Sequence, residues 1–452
     1  MKKYTIVGSY SAVELSHTET DLSCTVVVPL INCENKLKYG LDGVINKLLD
    51  KGIIPSEDGI DFLCFALLVY LADTRISRVL HSQDSWTREI AISLPVYNPD
   101  KWNGSVDTIT RMLNFLTGDL WEIVFLHRNF ELAPPSNPLV IPIELDAVTL
   151  FSGGMDSLIA TINFLEDGAK VALISHASDS YTKKSQRKLL SHFQNQYPQN
   201  TPTYFDMWTS FENGLENIGG GENSTRSRSF LFIAYGVCVL SGVTTTNTLY
   251  VPENALIALN VPLDNLRIGS HSTRTTHPFY LDSWNKLLSD MEIEISVLNP
   301  YWNKTKGEMA NECHNKDFLC AVIADSISCS SPQKIRYQKA PPQHCGYCVP
   351  CLIRRAAIAK AFGIGNDPTK YYHERISSIR ESHATAEGIQ LRSFEMAIHR
   401  IHAAPALAQL LIHKSGPIEG DTEYINQLAD VYLRGLQEVE DFVKLSIQRE
   451  GT

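Results

Sequence analysis

The chain reads as an α/β protein: a parallel sheet with helices on both faces, an α+β region before it and a helical tail after it. Three observations predict this. From residue 147 onward, short apolar segments alternate with helix-length ones, the pattern of βαβ units in a parallel sheet. The stretch Ala133-Pro134-Pro135-Ser136-Asn137-Pro138 interrupts the chain and reads as a proline-rich connector. Beyond about residue 367 the pattern is mainly helical. Expected boundaries are therefore 1–140, 145–366 and 367–452.

Before the connector, strands are expected at 25–31, 90–96 and 121–127, and helices at 56–75 and 106–116, the first of them strongly apolar. After it, 147–151 is a short apolar strand, followed by a glycine-bearing turn and a helix through Leu165. Further strands are expected at 170–175, 203–207 and 248–251, with helices at 183–196 and 229–240. In such a sheet ligands bind beyond the carboxyl ends of the strands. The last helix carries Ile425, Leu428, Tyr432, Leu436, Val439 and Val443 at helical spacing, which reads as a core-facing stripe.

Composition narrows the function classes. Hydrophobic residues make up 44% and charged residues 20% of 452, enough apolar material for two or three domains. A net charge of -10 provides no global basic field for nucleic acid or an anionic membrane, although local clusters could bind phosphates. The first twenty residues lack the apolar segment of a signal peptide. The longest apolar run, 62–72, is too short to span a bilayer. A cytoplasmic protein is expected. Of ten cysteines, four lie between 329 and 351 and the rest are scattered among apolar neighbours. In a reducing compartment the cluster suggests metal and the others buried thiols.

The most informative string is Ser152-Gly153-Gly154-Met155-Asp156-Ser157, placed between a strand and a helix. Its glycines let the backbone turn tightly and bring N–H groups to an anion, and the helix N-terminus adds partial positive charge. Ser152 and Ser157 offer hydroxyls to phosphate oxygens, while Asp156 needs Mg²⁺ or backbone donors as its partner. The Gly-Lys-Ser/Thr ending of a Walker loop is absent. A plain strand–turn–helix junction with capping side chains is the alternative; the full string in this context favours phosphate binding. It resembles the SGGxDS signature of the PP-loop ATP pyrophosphatases, a Rossmann-like fold group that cleaves ATP between its α- and β-phosphates. The resemblance implies that Ser152, Gly153, Gly154, Asp156 and Ser157, with Met155 among them, hold the phosphates that leave as pyrophosphate.

Cys329 is followed by Cys345, Cys348 and Cys351 in two overlapping Cys-x-x-Cys units. Four thiolates satisfy a closed tetrahedral Zn²⁺ site, hence a structural one; an Fe–S centre uses the same ligands. Arg354 and Arg355 follow, placed to balance thiolate charge.

Together the two motifs resemble the 7-cyano-7-deazaguanine synthase (QueC) family. Residues 226–234, RSRSFLFIA, look like its Gly-Arg-Asn-x-x-Phe-Leu segment, with Arg226 in the Arg position and Ser227 where Asn is usual. Lys306-Gly307-Glu308 looks like its Lys-x-Glu segment. The resemblance covers roughly 147–363 and implies ATP, Mg²⁺ and Zn²⁺, a 7-deazaguanine-type carboxylate substrate, and Asp156, Lys306 and Arg226 in catalysis. The N-terminal 140 residues, the tail and the stretch from Val251-Pro252-Glu253-Asn254 to Pro278 depart from the biosynthetic pattern. This longer build looks more like QueC-like proteins of bacterial anti-phage gene clusters, which would add a protein partner. Within the departing stretch, Arg267, His271, Arg274 and His277 stand among hydroxyl residues and read as a site loop, the histidines as general-base candidates. Three other readings stay open: a plain biosynthetic synthase, a PP-loop tRNA-modifying enzyme, and a scaffold that binds ATP without turnover.

Overall fold

The computed structural model describes all residues except 1, 12–14, 83, 134–139, 177–178, 212–214, 216–217, 224–225, 265–273, 331, 383–384 and 452, and the side chain of Gln338. The connector's prolines, Arg267 and His271 therefore lie outside the described residues.

The N-terminal region has its own five-stranded sheet, built from β1 (Lys3–Ser9), β2 (Ser16–Glu19), β3 (Ser23–Pro29), β4 (Glu89–Val96) and β5 (Leu120–His127), in the order β2-β3-β1-β4-β5. Only β2 runs antiparallel to its neighbour. Three strands come first and helices separate β3, β4 and β5, so the sheet is mostly parallel. The central strand β1 has no counterpart among the expected strands. It buries Tyr4 and Ile6 on one face by simple alternation. Helix α1 (Glu57–Arg75) is apolar all round and almost wholly buried, with Ser56 capping it through the Gly59 N–H. Helix α2 (Val106–Thr117) ends at Gly118, whose φ of 76° is the left-handed stop that glycine supplies cheaply.

The second sheet is wholly parallel: β6 (Ala147–Leu150), β7 (Val171–His176), β8 (Thr203–Met207), β9 (Thr248–Tyr250) and β10 (Ser296–Leu298), in the order β10-β9-β6-β7-β8. β6 and β7 are buried at every position, as strands covered on both faces must be. Helices α3 (Met155–Glu166), α4 (Arg228–Leu240) and α5 (Pro278–Asp290) cover it. α1 packs along α4, so one apolar core runs between the two sheets. Phe65 meets the Phe230 ring at 5.6 Å, and Phe230 stacks on Trp284 at 4.8 Å. The boundary near residue 140 divides two sheets and not two cores.

Short helix α6 (Lys306–Asn311) and helix α7 (Val349–Phe362) pack together beside the second sheet. The tail adds α8 (Ala386–Ala403) and α9 (Thr422–Gly451). Leu428, Tyr432, Leu436, Val439 and Val443 are buried and Ile425 half-buried, so the stripe faces a core as expected. Among the described residues no helix is long and apolar enough to cross a membrane.

Candidate functional site

Strand order decides where the site lies. From β6 the chain proceeds to β7 and β8 on one side, then returns to β9 and β10 on the other. The loops leaving β6 and β9 therefore diverge and open a crevice at the carboxyl ends of the strands. A cleft of about 850 Å³ occupies this place, lined by Ser152, Gly154, Met155, Asp156, Glu253 and Lys306 among others. Its size suits a nucleotide-scale ligand.

The loop after β6 is held firmly. Gly153 has a φ of 79°, and a Cβ there would lie 2.9 Å from Gln186 Cγ. Gln186 donates to the Phe151 and Ser152 carbonyls at 3.2 Å, and the Ile327 N–H donates to the Gly153 carbonyl at 2.8 Å. Ser152 Oγ accepts from the Gly154 N–H at 3.2 Å and lies 3.3 Å from Ser157 Oγ, which itself donates to the Gly154 carbonyl. Met155 and Asp156 then open α3.

Asp156 is the electrostatic centre. Its Oδ2 takes the Lys306 ammonium at 3.0 Å and the Asn254 amide at 3.0 Å. The same amide nitrogen lies 3.0 Å from Glu253 Oε1, so one side chain ties two carboxyl groups together. Burial pushes the Asp156 carboxyl upward, but the Lys306 charge and its hydrogen bonds outweigh this and hold it low. Burial and the adjacent Asp156 charge push Glu253 well above its ordinary range, so it sits protonated beside its neighbour. Asp156 Oδ1 is buried with no donor unless Glu253 carries that proton or a cation approaches. The sequence pattern did not mark Glu253 and Asn254 as site residues. Their signal was position, directly after a strand end.

Lys306 reaches Asp156 from a braced helix. Thr305 and Glu308 form a capping box at the start of α6. From α9, Glu438 accepts from Thr305 Oγ1, from the Gly307 N–H at 3.2 Å and from Lys360 Nζ at 2.7 Å. Arg434 pairs with Glu308. The tail thus grips the helix that carries the site lysine.

Arg226 lines the cleft, but its guanidinium turns to the N-terminal region, donating to the Thr117 carbonyl and lying 4.4 Å from the Trp86 ring centroid. Burial and the nearby Arg78 pull its pKa down to about 10. His277 is fully buried as the cap of α5: its Nδ1 accepts from the Phe279 N–H, and burial lowers its pKa to about 3. That placement corrects the general-base expectation for this histidine, because its ring serves the backbone and not the cleft.

The four cysteines of the cluster come together. Their sulfurs all lie within 4.8 Å of one another, with Cys345–Cys351 at 3.8 Å and Cys329–Cys348 at 3.9 Å. A tetrahedral ion with metal–sulfur bonds of about 2.3 Å sets sulfurs roughly 3.8 Å apart. The residues fit one closed metal site, and a polynuclear cluster would need them spread around several metal atoms. The Cys348 N–H points at Cys345 Sγ at 3.3 Å, and Gly346, at a φ of 90°, is pressed against the His373 carbonyl. Arg354 and Arg355 do not meet the sulfurs. Arg354 binds Ser326, Ser328, Thr369 and the Ile323 carbonyl; Arg355 binds the carbonyls of Gly346, His373 and Glu374. They staple the surrounding chain, and the Arg355 charge still acts on Cys351 across space, without direct contact. Cys348, Val349 and Pro350 also line the cleft, so the metal site forms part of its wall.

Compared with known proteins, the chain matches no family model, no curated protein and no solved structure.

Proposed function

We propose that this protein uses ATP to adenylate a carboxylate on a 7-deazaguanine-type molecule, releasing pyrophosphate, and then passes the acyl group to a nitrogen nucleophile. One observation carries the reading: a glycine-bearing loop at the sheet's switch point opens onto a cleft of about 850 Å³, with the Asp156–Lys306 pair on its floor. Backbone N–H groups of the 152–157 loop and the start of α3 are suited to the β- and γ-phosphates. Asp156 Oδ1, buried without a donor of its own, offers the carboxylate oxygen that Mg²⁺ prefers. Zn²⁺ in the four-thiol site would be structural, fixing the start of α7 as a wall of the cleft.

In the first step a substrate carboxylate oxygen bonds to the α-phosphorus and pyrophosphate departs. In the second, the nucleophile's nitrogen bonds to the acyl carbon, the acyl–oxygen bond breaks, AMP leaves and the nitrogen loses a proton. Lys306 offsets charge growing on the phosphates. Ammonia as nucleophile describes a biosynthetic synthase. An amine on a partner protein describes the role expected in an anti-phage gene cluster, and intact mass spectrometry of reaction mixtures containing candidate partners separates the two.

The direct test is pyrophosphate release from ATP with 7-carboxy-7-deazaguanine. Wild-type protein should release it, while Asp156→Asn and Ser157→Ala should not, at unchanged metal content. Absence of release from wild-type protein would overturn the proposal.

A further inference from the structure

Three arginines line the cleft and share one form of anchorage. Arg226 donates to the Thr117 carbonyl, Arg228 to the His176 carbonyl at 3.0 Å, and Arg274 to the Phe115 carbonyl at 2.7 Å. A backbone carbonyl orients a guanidinium without cancelling its charge; a carboxylate would do both. Two of these anchors, Phe115 and Thr117, belong to the last turn of α2. Last-turn carbonyls have no partner within their own helix and attract cations. Aromatic rings complete the seats, with Arg274 lying 4.5 Å from the Phe115 ring centroid.

Arg228 and Arg274 are half-buried, and neither makes an ion pair among the described residues. Lys414, from the tail, extends the lining; it is exposed and likewise makes no ion pair among them. At the loop, by contrast, Lys306 is already matched by Asp156. Tyr70 and Asp179 act electrostatically on Arg228, whereas burial alone acts on Arg274; a half-buried guanidinium without a counter-charge is costly, and a bound anion offsets that cost. The fixed fork of the guanidinium suits carboxylate or phosphate oxygens in bidentate fashion.

We propose that Arg274 and Lys414 form a second anion subsite, distinct from the 152–157 loop, that receives an anionic group on the molecule being modified. The N-terminal region then has a defined part in the site: α2 holds Arg226 and Arg274 in place by its final carbonyls. That the ligand is a substrate rests on the adenylation reading, but the subsite itself can be measured without turnover.

The full-length protein is titrated calorimetrically with inorganic pyrophosphate, alone and after saturation with α,β-methylene ATP. One equivalent of pyrophosphate should still bind the saturated protein. Arg274→Gln or Lys414→Gln should weaken that binding by about tenfold, the order expected for one charge-assisted contact. Oxalate in place of pyrophosphate tells a carboxylate preference from a phosphate one. Complete exclusion of pyrophosphate by the analogue, or wild-type binding in both variants, would overturn the subsite. If the analogue itself does not bind, the adenylation reading fails, and the response of pyrophosphate to Arg274→Gln still decides the subsite. Lys414→Gln, at an exposed position, decides it even if Arg274→Gln does not fold.

Discussion

Lys306 and Asp156 lie almost out of solvent and pair with each other at 3.0 Å. Breaking a buried pair strands a charge, so Lys306→Met should cost about 3–5 kcal/mol, read as a lower urea midpoint. Adding Asp156→Asn should recover part of that loss, and an unchanged midpoint in the single variant would refute the pairing. Proton linkage supplies a second residue-level prediction. Burial holds His176 down at about 4 and His277 at about 3, so both stay neutral in the fold while the unfolded chain takes up protons below its ordinary value of 6.5. Stability should therefore fall with acidification from about pH 6 to pH 5, at up to roughly 2.7 kcal/mol per pH unit for two protons. Glu253 works the other way: its raised pKa means the fold keeps a proton that the unfolded chain releases above 4.5, so its contribution is lost as pH rises. Urea titrations across pH should show a steeper acid loss in Glu253→Gln than in wild type, and His277→Asn, which can still cap α5, should soften it.

At the scale of elements, the metal site and the tail both brace the cleft. Chelation should free the start of α7, whose cap is Cys348, and raise protease sensitivity across 329–351. Glu438→Gln weakens the grip on Thr305, Gly307 and Lys360, and should cost about 1–3 kcal/mol in thermal or urea unfolding. The strands at 90–96, 121–127, 147–151 and 203–207 were legible because apolar runs between turns leave little choice of structure. The loop and the cysteines were legible because their chemistry is local in sequence. β1 was not picked out, since a seven-residue strand with two large inward side chains, Tyr4 and Ile6, gives a weak signal. Asn254, Glu438 and the carbonyl anchors of α2 could not be read either. Each acquires its role only from partners about one hundred or more residues away.

For the molecule as a whole, the continuous core between the sheets sets how it unfolds. α1 and α4 bury their apolar surfaces against each other, with Phe65, Phe230 and Trp284 at the join. A fragment of 145–452 would expose that face of α4, so it should aggregate when expressed alone, and calorimetry of the full chain should give no separate transition for 1–140. A soluble, cooperatively folded fragment would contradict the shared core. The grip of Glu438 and Arg434 on the Lys306 helix has one more implication. α9 follows every other element of the site along the chain. On a ribosome it emerges after the glycine loop, the cysteines and the lysine have all been made. The tail's grip on the lysine helix forms only then, so the activity proposed for the cleft should be withheld from a nascent chain until synthesis has passed residue 438, and a premature stop before that point should yield a protein that carries the motifs without their full bracing.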